Sequence, residues 1–342
     1  MVRELSMSGP LLIDYVAIAA ALFFDFINGF HDSANSIATI VGTKILKPVH
    51  AVAMAAIANF VGPFIFGTAV AATVGKGIIE TEFSTTYVIL AALIGAIIWD
   101  LITWFFGLPS SSSHALIGGL IGSALVAGGF DAIIISGVEK TLFFMVFSPV
   151  LGFAVAFVFA ISIMYFLRTA APLTVNKIFG KLQIASSAFF SLTHGANDGQ
   201  KTMGVITALL IAGGILDSTS FTVPVPVILS AASAIALGTF FGGWRIVKTM
   251  AFKLTNLRPY QGFCAETGGG AILAVMALYG IPVSTTHAIS GAIMGVGATK
   301  RFSAVRWGLG KRIIYAWIIT IPASAAISAI ILLIIKIILN AK

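Results

Sequence analysis

Charged residues are scarce in this sequence. Only 9% of its 342 residues are Asp, Glu, Lys or Arg, whereas 58% are hydrophobic, and a soluble domain carries about 25% charged residues. This balance excludes a soluble globular protein and indicates a chain that lies in a lipid bilayer. No stretch is polar enough for a separate soluble domain, so one membrane domain is expected and its function must reside in that domain.

Cysteine is nearly absent as well. Cys264 is the only one, which excludes a disulfide within the chain. Apolar runs, in contrast, are abundant, and each approaches the roughly 20 residues that a membrane-spanning helix needs. About ten such segments are predicted, beginning near Leu11, Pro48, Thr85, Pro109, Thr141, Ile184, Val223, Gly262, Pro282 and Trp307. The predicted fold class is therefore an all-α integral membrane protein.

The few charges differ in sign from one connection to the next. The net charge is +8, and basic residues cluster in alternate connections, near positions 44–47, 168–181, 245–258 and 300–312. The other connections are mainly acidic. By the positive-inside rule the basic connections are cytoplasmic and both termini are extracytoplasmic, in a plasma or inner membrane. This distribution gives no reason to expect a nucleic-acid partner.

Two polar motifs occur twice, in the same order. Residues 24–35 (FDFINGFHDSAN) resemble 190–201 (FSLTHGANDGQK), and residues 108–118 (LPSSSSHALIG) resemble 281–291 (IPVSTTHAISG). This recurrence indicates an internal duplication, with residues 1–168 as the first repeat and 169–342 as the second. An odd number of predicted crossings separates the matching segments, so the repeats are predicted to be inverted, as in secondary transporters. A duplicated channel is the alternative.

The first motif pair places acids inside apolar segments. A carboxylate in lipid is costly unless it is paired or hydrated, so Asp32 and Asp198 are candidate functional residues; an interhelical clamp is the alternative. Nearby glycines are expected to break both helices and free carbonyl oxygens. With Asn28 and Asn197 these oxygens would form a hard-oxygen cation site. Sodium fits such a site, and so does a proton on either Asp.

The second motif pair supplies hydrogen-bond donors. Proline followed by hydroxyl residues predicts a helix N-terminus, whose free N–H groups and partial positive charge favour an anion. The hydroxyl residues predicted to bind it are Ser111, Ser112, Ser113, Ser284, Thr285 and Thr286. Each motif is expected at the tip of a re-entrant hairpin, with the two N-termini facing each other. An ordinary capped loop is the alternative for either motif alone.

Other polar residues within the apolar segments are candidates with less defined roles. Asn35, Gln200 and Lys201 are further candidate ligands of the anion, and Lys201 could instead neutralise Asp198. The possible auxiliary residues are Asp25, Asp100, Glu266, His114 and His287. The three acids could form a further cation site or a structural pair. The two histidines could carry protons, bind the anion or hydrogen-bond between helices.

The predicted site fits a tetrahedral oxyanion accompanied by a cation. Phosphate is favoured over sulfate because hydrogen phosphate can donate its proton to a nearby carboxylate, whereas sulfate would meet only repulsion there. The transported ions are then phosphate and Na⁺, or phosphate and H⁺, and no cofactor or enzymatic activity is expected. The alternatives are a sulfate transporter on the same plan and, from another class, an intramembrane serine hydrolase.

The duplicated motifs resemble the signature of the PiT family of inorganic phosphate symporters, Gly-Ala-Asn-Asp-Val-x-Asn with a Pro-Ser/Thr-rich-His motif in each half. Residues 195–198 match it, and Lys201 replaces the usual Asn. The first copy keeps Gly29, Asp32 and Asn35, with Phe and His in place of Ala and Asn. The resemblance implies inverted repeats with two re-entrant hairpins, phosphate at the centre, cation-coupled uptake and a homodimer.

Overall fold

A computed structural model describes residues 12–217 and 221–339. These residues form twelve α-helices and contain no β-sheet. The helices are α1 (Leu12–Gly42), α2 (Pro48–Phe66), α3 (Ala69–Lys76), α4 (Thr86–Phe105), α5 (Ser112–Gly128), α6 (Ile135–Phe166), α7 (Pro172–Ala212), α8 (Val225–Phe241), α9 (Trp244–Lys248), α10 (Pro259–Leu278), α11 (Thr285–Ala298) and α12 (Trp307–Ile338). The all-α fold class is thereby confirmed.

Each of the ten predicted segments contains one of the longer helices, whereas α3 and α9 were not predicted. Six helices among the described residues are long and apolar enough to cross a membrane, or seven if the pair α8 and residues 244–254, bent by 56°, is one span. At about 1.5 Å per residue, the 14 residues of α11 extend only about 21 Å, short of the roughly 30 Å hydrocarbon layer.

The start of α7 differs most from the prediction. The apolar run was expected to begin near Ile184, but α7 begins at Pro172 and runs for 41 residues. Its first turns carry Lys177 and Lys181, so a search for apolar runs misses them. Pro172 suits the first helical position because its missing N–H has no partner in a first turn.

The two halves of the chain interlock rather than pack as separate bodies. Helices α2 and α3 of the first half pack on α7 of the second, and α8 of the second half packs on α1 of the first. In the same way α5 packs on α12, and α11 packs on α6. The boundary between residues 168 and 169 falls in the short connection between α6 and α7. Residues 1–11 and 340–342, which include both termini, lie outside the described residues.

The closest of these helix–helix contacts occur at glycine residues. A Cβ atom at Gly29 would lie within 3.0 Å of backbone atoms of Ile235, and one at Gly195 within 3.0 Å of backbone atoms of Asn59. Both helices run unbroken through their motif glycines, so the expected breaks at the two Asp clusters are wrong. These glycines allow close helix packing instead. The discontinuities lie elsewhere, at Gly67 between α2 and α3 and near Gly242 between α8 and α9.

Candidate functional site: two carboxylates beneath two facing helix N-termini

The N-termini of α5 and α11 meet inside the protein. Ser111 and Ser284 are their N-cap residues, and each hydroxyl accepts a hydrogen bond of 3.2 Å from the backbone N–H of the histidine three residues later. The hydroxyl of Ser284 also donates to that of Ser111 at 2.8 Å. Both residues are buried. The structure therefore brings the two Ser/Thr motifs, 173 positions apart in the sequence, into direct contact.

Asp32 and Asp198 lie against the first turns of these two helices. Thr285 donates to Asp198 Oδ2 at 2.8 Å, and Thr286 donates to Asp32 Oδ2 at 3.3 Å. Asn35 donates to Thr286 at 2.9 Å. Hydroxyl donors of the second motif pair are thus bonded to the acids of the first, which is the convergence that the duplicated motifs predict.

Lys201 provides positive charge in this cluster. Its Nζ atom donates to Asp198 Oδ1 at 2.5 Å and to the carbonyl oxygen of Val283 at 2.7 Å, and it also bonds to the Ser113 hydroxyl. The ammonium is 3% exposed. It therefore neutralises Asp198 and also reaches the tip of α5, so both roles considered for it are compatible with its position.

Two histidines join the acids, and sequence reasoning missed both. His194 Nε2 lies 3.2 Å from Asp198 Oδ2, and His31 Nδ1 lies 2.7 Å from Asp32 Oδ1. One carboxylate oxygen of Asp32, one of Asp198 and one ring nitrogen of His194 lie within 4.8 Å of one another, close enough to share a cation. His194 precedes Asp198 by four residues, a spacing that places both on one helix face, and that signal was present in the sequence.

The two predicted asparagine ligands point to different neighbours. Asn197 donates to the carbonyl oxygen of Leu273 in α10 at 2.8 Å, and its own amide oxygen has no partner. Asn28 lies beside Asp25, and its amide oxygen has no hydrogen-bond partner among the described residues. Gln200 accepts a hydrogen bond of 2.8 Å from the backbone N–H of Val70, at the start of α3.

The remaining candidates lie around the centre. The rings of His114 and His287 are 4.3 Å apart, and His287 lies 3.8 Å from the ring of Trp317. Within the described residues neither histidine bonds to Asp32 or Asp198. Ser112 and Asp100 are buried, and among the described residues neither the Ser112 hydroxyl nor the Asp100 carboxylate has a hydrogen-bond partner.

Glu266 is surrounded by donors that were not predicted. Ser186 donates to Oε2 at 2.5 Å, Gln183 donates to Oε1 at 3.2 Å, and Thr39 also bonds to Oε1. The residue is fully buried between α10, α7 and α1. Because three side chains already satisfy this carboxylate, its hydrogen bonds tie three helices together.

Known proteins resemble this chain over almost its whole length. The phosphate transporter family matches residues 28–328. This chain belongs to the phosphate transporter family. A protein of Rhizobium meliloti (strain 1021) named a probable low-affinity inorganic phosphate transporter is 52% identical over 327 residues, covering 96% of this chain and 97% of that protein. A Bacillus subtilis (strain 168) protein of the same name is 44% identical, covering 94% and 96% of the two chains.

A solved structure shares the fold. It is titled the sodium-dependent phosphate transporter, is 28% identical, and superposes with a TM-score of 0.86 over 96% of this chain and 100% of the other. The protein is therefore a multi-pass membrane transporter of phosphate. Its family confirms the expectation that it is not an enzyme. The intramembrane hydrolase is accordingly set aside.

Proposed function

We propose that the transporter imports inorganic phosphate by symport with Na⁺, through alternating access. The observation that carries the proposal is that donors suited to phosphate are bonded to the two carboxylates suited to a cation. Thr285 and Lys201 donate to Asp198, and Thr286 donates to Asp32.

This arrangement gives a physical reason for coupling. A cation bound by Asp32 and Asp198 competes for the carboxylate oxygens that now accept these hydrogen bonds. The hydroxyls of Thr285 and Thr286 are then free to donate to a phosphate oxygen at the two facing helix N-termini, where an anion is favoured. Sodium binding would thus release the two threonine hydroxyls from the carboxylates. A phosphate oxygen would then accept the hydrogen bonds that the carboxylates no longer accept.

The charges of the buried groups also favour symport of phosphate with a cation. Buried acids outnumber buried ammonium groups, since Asp25, Asp32, Asp100, Asp198 and Lys201 are all at most 3% exposed. A phosphate anion adds further negative charge to a region where water does not screen it. Cations must therefore accompany the anion, which favours symport over a phosphate channel.

The architecture supports the transport cycle proposed here. Equivalent contacts recur in the two halves, since α5 packs on α12 as α11 packs on α6, and Ser111 caps its helix as Ser284 does. We infer inverted repeats, hairpin tips at Ser111 and Ser284, and both termini on the extracytoplasmic side of a plasma or inner membrane. A homodimer, and the absence of any cofactor, are parts of the same proposal.

Uptake of labelled phosphate into proteoliposomes tests this function. An inward sodium gradient is expected to drive uptake that excess sulfate does not block, and Asp32→Asn and Asp198→Asn are each expected to abolish the sodium stimulation. A proton gradient alone, and choline in place of sodium, are the controls. Uptake that only the proton gradient drives, or that sulfate blocks, would contradict the proposal.

A further inference from the structure

Asp25 is a buried acid to which the proposed function assigns no ligand. It lies on α1, is 0% exposed, and neither carboxylate oxygen has a hydrogen-bond partner among the described residues. Burying an unpaired carboxylate costs several kcal/mol. Asp25 therefore requires either a proton or a ligand with positive charge.

Two further oxygen atoms beside it also have no partner. The amide oxygen of Asn28, which lies one turn further along α1, and the hydroxyl of Thr202 on α7 are both buried without a hydrogen bond. Both side chains lie near enough to the Asp25 carboxylate to interact with it. Buried carboxylate, amide and hydroxyl oxygens that lack other partners are able to share one cation.

We propose that Asp25, Asn28 and Thr202 bind a sodium ion at a position separate from the Asp32–Asp198 pair. A carboxylate, an amide oxygen and a hydroxyl are hard ligands suited to such a cation, and water can complete its coordination. Asp25 precedes Asp32 by seven residues, about 10 Å along the helix axis, so two cations would fit. This inference rests on the proposed function in one respect, that sodium is the coupling ion.

The ion at Asp25 would act on the central site through charge. Asp25 is within electrostatic reach of Asp198 and Lys201. With Asp25 charged and empty, its carboxylate competes with phosphate for the positive charge of Lys201. Sodium at Asp25 cancels that competition, so loading of this site raises the affinity for phosphate.

The second copy of the motif has no acid at the position of Asp25. Ser191 occupies the position of Asp25 in the second copy of the motif, and its hydroxyl donates to the carbonyl oxygen of Ser187 at 2.8 Å. Its hydrogen bond is therefore satisfied within α7, and it offers no charge to a cation. The asymmetry supplies a matched control for a test of the site.

Equilibrium binding of ²²Na⁺ to the purified transporter, without phosphate, tests the proposal. Asp25→Asn, which is nearly isosteric, is expected to bind one sodium ion fewer than the wild type, and Thr202→Val to bind the same ion several-fold more weakly. Ser191→Ala is expected to match the wild type. Unchanged sodium stoichiometry in Asp25→Asn would overturn the assignment.

Measurements of phosphate binding distinguish a failure of the sodium site at Asp25 from a failure of the proposed function. Asp25→Asn is expected to retain phosphate binding and to need fewer sodium ions for it, with a lower Hill coefficient for sodium, because the substitution removes the competing charge. Asp198→Asn, in contrast, is expected to lose sodium-dependent phosphate binding. If the wild type binds phosphate equally without sodium, the proposed function fails, and the ²²Na⁺ stoichiometry still decides whether Asp25 binds the ion.

Discussion

The contact between α7 and α2 can be tested by adding one methyl group. A Cβ atom at Gly195 would lie 2.5 Å from Cα and 2.7 Å from the carbonyl carbon of Asn59. Non-bonded carbon atoms prefer about 3.5–4.0 Å, so α2 must move by about 1 Å. At Gly199, one turn along the same helix, the nearest atoms are side-chain carbons at 3.7–3.8 Å, which a Cβ atom would contact without displacement.

The two glycines therefore form a matched pair. Gly195→Ala is expected to destabilise the protein by about 1–3 kcal/mol, the usual cost of overpacking. Gly199→Ala is expected to be neutral or to stabilise it by up to about 1 kcal/mol, because alanine favours a helix interior. Thermal unfolding of both variants in the same detergent measures the difference. Equal unfolding midpoints would show that the backbones of α7 and α2 are not in close contact at Gly195.

Substitutions at the central ion pair, at the helix caps and at Glu266 give three further tests. Lys201→Met leaves the carboxylate of Asp198 without its ammonium partner and is expected to cost about 3–5 kcal/mol; the added change Asp198→Asn should recover part of this loss in thermal unfolding, and no recovery would contradict the pairing. Ser111→Ala with Ser284→Ala removes both caps, worth about 1 kcal/mol each, and is expected to weaken phosphate binding more than sodium binding in titrations of the purified protein; equal losses would argue against hydroxyl contacts to phosphate. Glu266→Ala removes the acceptor of Thr39 and Gln183, while Ser186 keeps its bond to the carbonyl oxygen of Gln183; the variant is expected to lower the unfolding midpoint, since each unsatisfied group costs about 1–3 kcal/mol, and an unchanged midpoint would refute the structural role of Glu266.

Much of the centre could be predicted from the sequence because the duplication marks it twice. A single Pro-Ser-Ser run is compatible with an ordinary capped loop, but two copies in equivalent places predict two helix N-termini at one site. Contact between Ser111 and Ser284, and the hydrogen bonds from Thr285 to Asp198 and from Thr286 to Asp32, agree with that expectation.

The direction of individual side chains could not be predicted in the same way. Asn28 and Asp32 share a face of α1, yet no hydrogen bond joins them in the described part of the chain, and Asn28 also lies beside Asp25 one turn earlier. Gln200 neighbours Lys201 in the sequence but bonds to Val70 at the start of α3. This helix is too short to be predicted from an apolar run. Such choices depend on which helix packs against which face.

The glycines show why a correct observation led to a wrong expectation. Glycine weakens an isolated helix, which suggested breaks near Asp32 and Asp198. In the packed protein Gly29 and Gly195 instead lie where a neighbouring backbone comes closest, and packing keeps both helices continuous. Sequence alone does not distinguish these two uses of glycine.

The central claim is that Asp32, Asp198 and the facing N-termini of α5 and α11 hold phosphate and sodium at one coupled site. Calorimetric titration of phosphate into the purified transporter, in sodium buffer and then in choline buffer, tests it most directly. We expect clear binding in sodium and at least tenfold weaker binding in choline, with the difference lost in Asp198→Asn. Equal phosphate affinity in the two buffers would contradict the account.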